Sequence, residues 1–460
     1  MSVFDLAELA ADVGPNPRNI GVLLELDGVA PDVRVVRDAV RARLGLAPRL
    51  AQRLRRVPSG AGRPMWENVA IDLEHHVRAR SADKADLLGL TAAILSEPLD
   101  PGRPLWTLTV IDLPTERHSA LVWSSHHAMA DGPSVLRAAL AVVQDGPTRA
   151  LPPLAPPPSR VRLTREAWGA RVRSLGGALR WPQRLVGMRE LGASTGMRVP
   201  ASPLNRPVTA GYVLRTVDVD LAVLRAGAHA CGATVNDALL WAWGRAVQRR
   251  LAAVGLAEAP MVVACMVTMP SEAIENRVGA VRIAVPRPGD SVTADLAALA
   301  CVTRRCKRRI TGSSWWLIAQ MFRVLGALGV YRRFVEHQHS ITTLLTNLRG
   351  PLEPLWVLGR RVTRAVPVAT LVGNVTTALA ALSCGGDLVV TVMCAPETAA
   401  SVDALAADLS AGLAAVAGLG SGERAGADHG GRGRPANGPL SICHVVGERG
   451  EFELPVGPGA

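Results

Sequence analysis

His126-His127-Ala128-Met129-Ala130-Asp131-Gly132 is the stretch from which the rest of this chain is best understood. It follows an apolar run, Ala120 to Ser125, that is typical of a β-strand, and the residues after it (PSVL, 133–136) indicate a helix start. A rigid strand that ends in a turn holds reactive side chains at the mouth of a cleft. Because strand side chains alternate between two faces, one histidine can face a cleft while the other packs behind it.

The residue types of this stretch suit proton transfer. An imidazole accepts a proton near neutral pH and returns it later, so His127 is the candidate general base, with His126 packed beside it. Asp131 is expected to fix the loop through hydrogen bonds or an arginine, and Gly132 to permit a turn that a β-carbon would hinder. The alternative is a pair of structural histidines at a strand end. His75-His76 lacks a following Asp-Gly and is interpreted as such a structural pair.

Other catalytic signatures do not accompany the two histidines. The sequence has no HExxH, P-loop or dinucleotide-binding motif, and its seven cysteines include no CxxC, so we predict no metal and no bound cofactor. A histidine base without a protein nucleophile indicates direct activation of a substrate hydroxyl or amine.

The amino-acid composition limits which binding partners and which cellular compartment we expect. The net charge of +12 comes almost entirely from arginine. The arginines either reflect the base composition of the genome or attract anionic phosphates. Because no nucleic-acid-binding motif accompanies them, we expect no nucleic-acid partner. The odd cysteine count and an acidic N-terminus unlike a signal peptide predict a cytoplasmic protein. The basic amphipathic residues 160–190, or residues 315–334, are either ordinary surface helices or a peripheral contact with the inner membrane face or a lipid droplet.

Hydrophobic patterning predicts an α/β protein in four parts. These are an N-terminal lobe (1–146), a proline-rich hinge with basic amphipathic helices (147–209), a C-terminal lobe (210–418) and a flexible tail (419–460). Ile20 to Leu26 is expected to be a strand and residues 34–55 a helix. Thr234 is expected to cap a helix that runs to Leu251, with Asp237 in a capping-box position.

Six ordered segments together resemble the bacterial wax ester synthase/diacylglycerol acyltransferase family, and the HHxxxDG stretch alone resembles the CoA-dependent acyltransferase superfamily. The resemblance covers roughly residues 1–418. The segments are the opening from Ser2 to Gly21, Pro104-Leu105-Trp106, HHxxxDG itself, Thr234-Val235-Asn236-Asp237, Glu275-Asn276-Arg277-Val278, and Thr346 to Pro351.

The resemblance implies a two-lobed, chloramphenicol acetyltransferase-like fold of mixed sheets flanked by helices, with a tunnel between the lobes. It implies acyl transfer from acyl-CoA, as co-substrate, to diacylglycerol or a long-chain alcohol, with His127 as base and Asp131 holding the loop. Gly132 would leave room at the site, and Asn236 and Asp237 would support the site or the lobe contact. Trp106 is interpreted as a core residue.

Departures from the family pattern keep other acceptors open. Glu275 stands where glycine is usual, Leu348-Arg349 where Val-Pro is usual, and Cys384 where tyrosine is usual. One alternative is the same chemistry on another hydroxyl or an amine acceptor, as in condensation domains. The other is a lipid-binding protein that keeps the fold without catalysis.

Overall fold

Two mixed β-sheets organise the chain in the computed structural model, which describes residues 1–57, 62–154, 159–176, 198–268, 274–309 and 313–426. Each sheet has six strands, and a small two-stranded sheet accompanies them. Helices flank both large sheets. The predicted α/β fold with mixed sheets and flanking helices is therefore confirmed.

The first half of the chain supplies the elements around the histidine pair. Its strands are β1 (Asn19–Asp27), β2 (Gln52–Arg55), β3 (Met65–Asn68), β4 (Val77–Ser81), β5 (Trp106–Leu113) and β6 (His118–His126). Its helices are α1 (Val3–Ala11), α2 (Val33–Arg43), α3 (Leu73–His76), α4 (Leu87–Ser96), α5 (Gly132–Val143) and α6 (Arg160–Gly176).

The second half supplies the other sheet, its helices and two strands of the first sheet, β11 and β12. Its strands are β7 (Val213–Asp220), β8 (Val262–Thr268), β9 (Val278–Ala284), β10 (Thr343–Arg349), β11 (Trp356–Val357), β12 (Arg360–Val368), β13 (Thr377–Cys384) and β14 (Asp387–Cys394). Its helices are α7 (Leu221–Ala230), α8 (Val235–Ala252), α9 (Val292–Arg309), α10 (Ser313–Ala327), α11 (Tyr331–Glu336) and α12 (Val402–Gly426).

The strand order shows that the two halves of the chain are interleaved. The first sheet runs β11-β12-β1-β6-β5-β4, and the second runs β7-β14-β13-β10-β8-β9. β12 pairs antiparallel with β1, so that Leu24 lies opposite Ala365. A cut at residue 146 or 210 therefore does not separate the sheets, and the domain limits drawn from the sequence stay a prediction. α12 continues to Gly426, beyond the start of the predicted tail, and residues 427–460 lie outside the described residues.

Alternation along β1 explains how the first sheet joins two cores. Val22, Leu24 and Leu26 pack with residues of α2 and α5 on one face. On the other face Leu23 packs with α4 and with residues of the second sheet, including Leu214. The core around Leu23 is thus the apolar contact between the two large sheets.

Two sequence interpretations in this lobe have different outcomes. The helix predicted for residues 34–55 is wrong after Arg43, where two short 3-10 turns and then β2 follow. Pro48 begins the second turn, since proline lacks the N–H and clashes with the preceding helical turn.

The structural interpretation of His76 agrees with its environment: its ring is buried and stacks on Trp106 at 4.6 Å, and burial lowers its pKa to about 4.

One segment in the described part of the chain, Pro396–Gly420, has the length and hydropathy of a membrane span. Its residues Leu405, Leu409 and Leu413 are buried in the core of the second lobe. α12 packs this one stripe of side chains against α7 and α8, as a helix on the surface of a folded domain does.

Candidate active site

The two histidines lie where β6 ends and turns toward α5. The backbone N–H of His126 donates to Leu105 O at 3.0 Å, and that of His127 donates to Arg18 O at 2.7 Å. Both side chains are buried, with 5% and 8% of each residue exposed. The strand end is therefore held by neighbouring backbone on both sides before either imidazole makes a contact.

His126 is tied into the loop by both ring nitrogens. Its Nδ1 accepts the backbone N–H of Ala128 at 3.0 Å, and its Nε2 lies 3.1 Å from Asp12 Oδ2. A ring with both nitrogens engaged cannot also take a proton from a substrate. The prediction that His126 packs beside the base agrees with these contacts.

His127 faces a residue from the second half of the chain. Asn276 Nδ2 donates to the backbone oxygen of His127 at 2.9 Å and lies 3.5 Å from His127 Nδ1. Burial lowers the pKa of His127 below its ordinary value of 6.5; Glu8 and Asp131 oppose that shift, whereas Arg18 adds to it. The imidazole is consequently neutral near pH 7, which is the form that accepts a proton.

Asp131 connects the loop to both halves of the chain. It is the N-cap of α5, where its Oδ1 accepts the backbone N–H of Ser134 at 3.1 Å. Its Oδ2 accepts the backbone N–H of Arg277 at 3.0 Å. Asp131 is only 1% exposed, and it bonds backbone rather than the arginine side chain that the sequence also suggested. It therefore fixes the loop against residues 275–277.

Gly132 is explained by close packing and not by an unusual turn. It does not have the positive φ of several other glycines in the chain, so the expected turn argument is wrong here. A β-carbon at this position would instead lie 3.0 Å from Leu348 Cδ2 on β10. The glycine allows β10 to approach the start of α5.

Asn236 and Asp237 support the second lobe. Thr234 and Asp237 form the expected capping box at the start of α8, and Asp237 Oδ1 also accepts the hydroxyl of Thr303 on α9 at 2.7 Å. Asn236 Oδ1 accepts from Asn347 Nδ2 at 3.0 Å. Asn347 precedes Leu348, so this contact steadies the strand that approaches Gly132.

Sequence reasoning missed part of the surroundings of the imidazole. Asn276 stood inside a recognised segment, and its resemblance to the family was the one signal available for it. Glu8, Asp12 and Arg18 come from α1 and the loop after it, inside the recognised opening segment, but nothing in their local pattern points to His127. In the described part of the chain, no group of three or more histidine, cysteine, aspartate or glutamate side chains is placed to hold a metal ion.

Comparison with known families covers most of the chain. The model of the wax ester synthase/diacylglycerol acyltransferase catalytic domain matches residues 1–239, and the model of the C-terminal domain of the same family matches residues 274–417. The chain belongs to the wax ester synthase/diacylglycerol acyltransferase family. The resemblance seen in the sequence is confirmed, and the chain is an acyltransferase.

Individual relatives of this acyltransferase agree with the family models. A probable diacylglycerol O-acyltransferase of Mycobacterium tuberculosis is 27% identical over 401 residues, which cover 80% of this chain and 84% of the relative. The solved wax ester synthase/diacylglycerol acyltransferase of Marinobacter aquaeolei has a TM-score of 0.61 at 21% identity, covering 90% of this chain and 98% of that one.

Condensation domains share the fold of the acyltransferase. The first condensation domain of the calcium-dependent antibiotic synthetase, in complex with a substrate analogue, has a TM-score of 0.63 at 18% identity, covering 91% of this chain and 95% of that one. A starter condensation domain of rhizomide synthetase in complex with C8-CoA has a TM-score of 0.58 at 17% identity, covering 90% and 92% of the two chains. These likenesses place the chain in the predicted fold class.

Replacing Asn276 by alanine is expected to lower kcat/KM for acyl transfer about tenfold, the equivalent of one lost hydrogen bond of about 1.4 kcal/mol. The bond lost is the one to the backbone of His127. Release of CoA measures the effect. Asn205→Ala removes a comparable bond, to Ile341 O at 3.1 Å, and should leave kcat/KM unchanged. Equal losses in the two variants would contradict the assignment.

Proposed function

We propose that this chain transfers a long-chain acyl group from acyl-CoA to the hydroxyl of diacylglycerol or of a long-chain alcohol, with His127 as the general base. The observation that carries the proposal is the buried, neutral imidazole of His127 at the end of β6, where residues of both halves of the chain meet. Family membership and the names of the relatives support the substrate class. Binding of C8-CoA by a structural relative supports an acyl-CoA donor.

The proposed reaction requires one proton acceptor and no protein nucleophile. His127 Nε2 takes the proton of the acceptor hydroxyl in the tautomer that carries the ring hydrogen on Nδ1, where the ring donates to the residue's own backbone oxygen. The oxygen attacks the thioester carbonyl, the carbon–sulfur bond breaks, and the thiolate of CoA leaves with the proton that His127 returns. Ester and free CoA are the products, so atoms and charge balance.

The remaining predicted site residues act by holding this arrangement. His126 bonds Asp12 and the loop backbone, and Asp131 joins the loop to residue 277. Gly132 accepts the close approach of β10. Asp237 joins α8 to α9 through Thr303, and Asn236 bonds Asn347 on β10, the strand that contacts Gly132.

Incubation with palmitoyl-CoA and a panel of acceptors tests the proposal. Diacylglycerol and hexadecanol should each give an ester and stoichiometric CoA. If product forms only with an amine or with another hydroxyl, the chain belongs to the condensation-like alternative. Absence of CoA release with every acceptor, together with lipid binding, would support the lipid-binding alternative. The neutral lipids of cells that express the chain identify the natural acceptor.

We also propose that the enzyme contacts anionic membrane or droplet surfaces through the exposed apolar side chains of α6 and α10. Trp168 is 59% exposed on the arginine-rich α6, and Leu328 is 69% exposed just after α10. An arginine-rich amphipathic helix with exposed apolar residues gains from both lipid burial and anionic headgroups. Residues 177–190 of the predicted segment lie outside the described residues.

Trp168→Glu is expected to weaken flotation with vesicles that contain anionic lipid, and Leu328→Glu serves as the second variant for α10. Val254→Glu, at a position 50% exposed next to α8, is the matched control and should float like the unmodified chain. Recovery of all native protein without lipid, and no flotation of the unmodified chain, would refute the surface contact.

A further inference from the structure

A buried ion pair lies behind the histidine strand end. Arg18 Nε donates to Glu8 Oε2 at 3.0 Å, and Arg18 Nη2 bonds the same oxygen. The two side chains are 11% and 15% exposed. Arg18 Nη1 is buried and has no hydrogen-bond partner among the described residues. Because a buried and incompletely bonded ion pair is often no more stable than apolar residues of similar size, stability alone does not explain it.

The backbone of Arg18 holds both histidines. Its carbonyl oxygen accepts the N–H of His127 at 2.7 Å. Its own N–H donates to Asp12 Oδ1 at 3.2 Å, and Asp12 Oδ2 lies 3.1 Å from His126 Nε2. The side-chain bonds from Arg18 to Glu8 anchor this backbone segment to α1. A shift of the ion pair would therefore move the point at which the loop from β6 is attached.

The charges of the pair act on the imidazole with opposite signs. Glu8 favours protonated His127 and Arg18 disfavours it, while Asp131 on the other side of the loop favours it. Burial alone would raise the pKa of Glu8, but Arg18 and the two histidines lower it to about 2. Tyr331 on α11 and Asp12 are the other titratable groups that face Arg18. The pair consequently stays ionised throughout the working range of the enzyme.

We infer that Glu8 and Arg18 are positioning residues for His127, which attach the base to α1 and cancel each other's charge behind its ring. The inference rests on the proposed role of His127 as general base. It adds that the opposite charges of Glu8 and Arg18 offset each other near the base. Loss of either residue would leave the full charge of the other uncompensated near His127.

Glu8→Gln tests this inference through the pH dependence of kcat/KM with palmitoyl-CoA and diacylglycerol. Uncompensated Arg18 disfavours imidazolium, so the acid limb should move to lower pH by about one pH unit, the low end of the effect of a nearby charge. The double variant Glu8→Gln/Arg18→Met removes the cation as well, and its limb should return toward that of the unmodified chain. Glu258→Gln removes the acid of an exposed pair with Arg287 and should leave the limb in place.

The outcomes separate this inference from the proposed function. The pair is supported as a positioning unit if the acid limb of Glu8→Gln lies at lower pH and the double variant returns the limb toward that of the unmodified chain. If Glu8→Gln does not fold, Arg18→Met leaves the charge of Glu8 uncompensated and should move the limb in the opposite direction, to higher pH. A limb unmoved in every folded variant overturns the inference while leaving His127 as base. Full activity of His127→Ala overturns the proposed function itself.

Discussion

His127→Ala should lower the turnover of acyl transfer at least about 100-fold, the low end of what general acid–base catalysis contributes. The substitution removes the ring that the contacts of Arg18, Asn276 and the loop hold at the strand end. CoA release from palmitoyl-CoA in the presence of diacylglycerol measures it. Because burial lowers the pKa of His127 below 6.5, the neutral base persists to lower pH, and the acid limb of kcat/KM in the unmodified chain should lie below pH 6.5.

His126→Ala is the matched control for that prediction, since it removes the neighbouring ring of the same type. We expect a lower melting temperature and a much smaller loss of turnover, because His126 bonds Asp12 and the backbone of Ala128. A large kinetic loss in His126→Ala with little change in His127→Ala would reverse the two assignments. His76→Ala, at the buried histidine of the His75-His76 pair, should affect stability alone.

Asp131→Ala should lower the free energy of unfolding by about 2–4 kcal/mol, from a lost helix cap of about 1 kcal/mol and a second unsatisfied backbone N–H of about 1–3 kcal/mol. Its two acceptor oxygens serve Ser134 and Arg277, which come from different halves of the chain. Turnover of the folded fraction should fall about 100-fold, since a displacement of about 1 Å at a catalytic group has that effect. Denaturant unfolding and CoA release measure the two quantities.

Asp32→Ala is the matched control, because Asp32 caps α2 in the same way and its side chain makes no second bond across the described part of the molecule. It should lower the free energy of unfolding by about 1 kcal/mol and leave turnover unchanged. Equal destabilisation in the two variants would show that the bond from Asp131 to Arg277 contributes nothing to stability.

The sequence contains local signals for most strands and for the loop. The apolar run of β1, the capping box of Thr234 and Asp237, and the HHxxxDG stretch each lie within a few residues, and each matches an observed element or turn. The helix expected for residues 34–55 ends at Arg43, because Gly45 and Pro48, whose backbone preferences disfavour a helix, follow directly.

The surroundings of the imidazole needed the tertiary structure. Glu8, Arg18 and Asn276 meet His127 from elements far apart in the chain, and no periodicity reports such a meeting. The pairing of β1 with β12 is likewise invisible locally, since each strand has an ordinary pattern by itself. The packing of Gly132 could not be predicted for the same reason: Leu348, the residue that it contacts, lies on β10.

The pairing of β1 with β12 also governs how this chain can be made. β1 emerges early in synthesis but cannot complete its hydrogen bonds until residues 360–368 have left the ribosome. Until then one edge of a buried, apolar strand is unpaired, which is the kind of edge that recruits other chains and aggregates. The high sequence separation of this contact also slows folding. Fragments that end before residue 360 should therefore be aggregation-prone, and efficient production should depend on chaperones that shield the nascent edge.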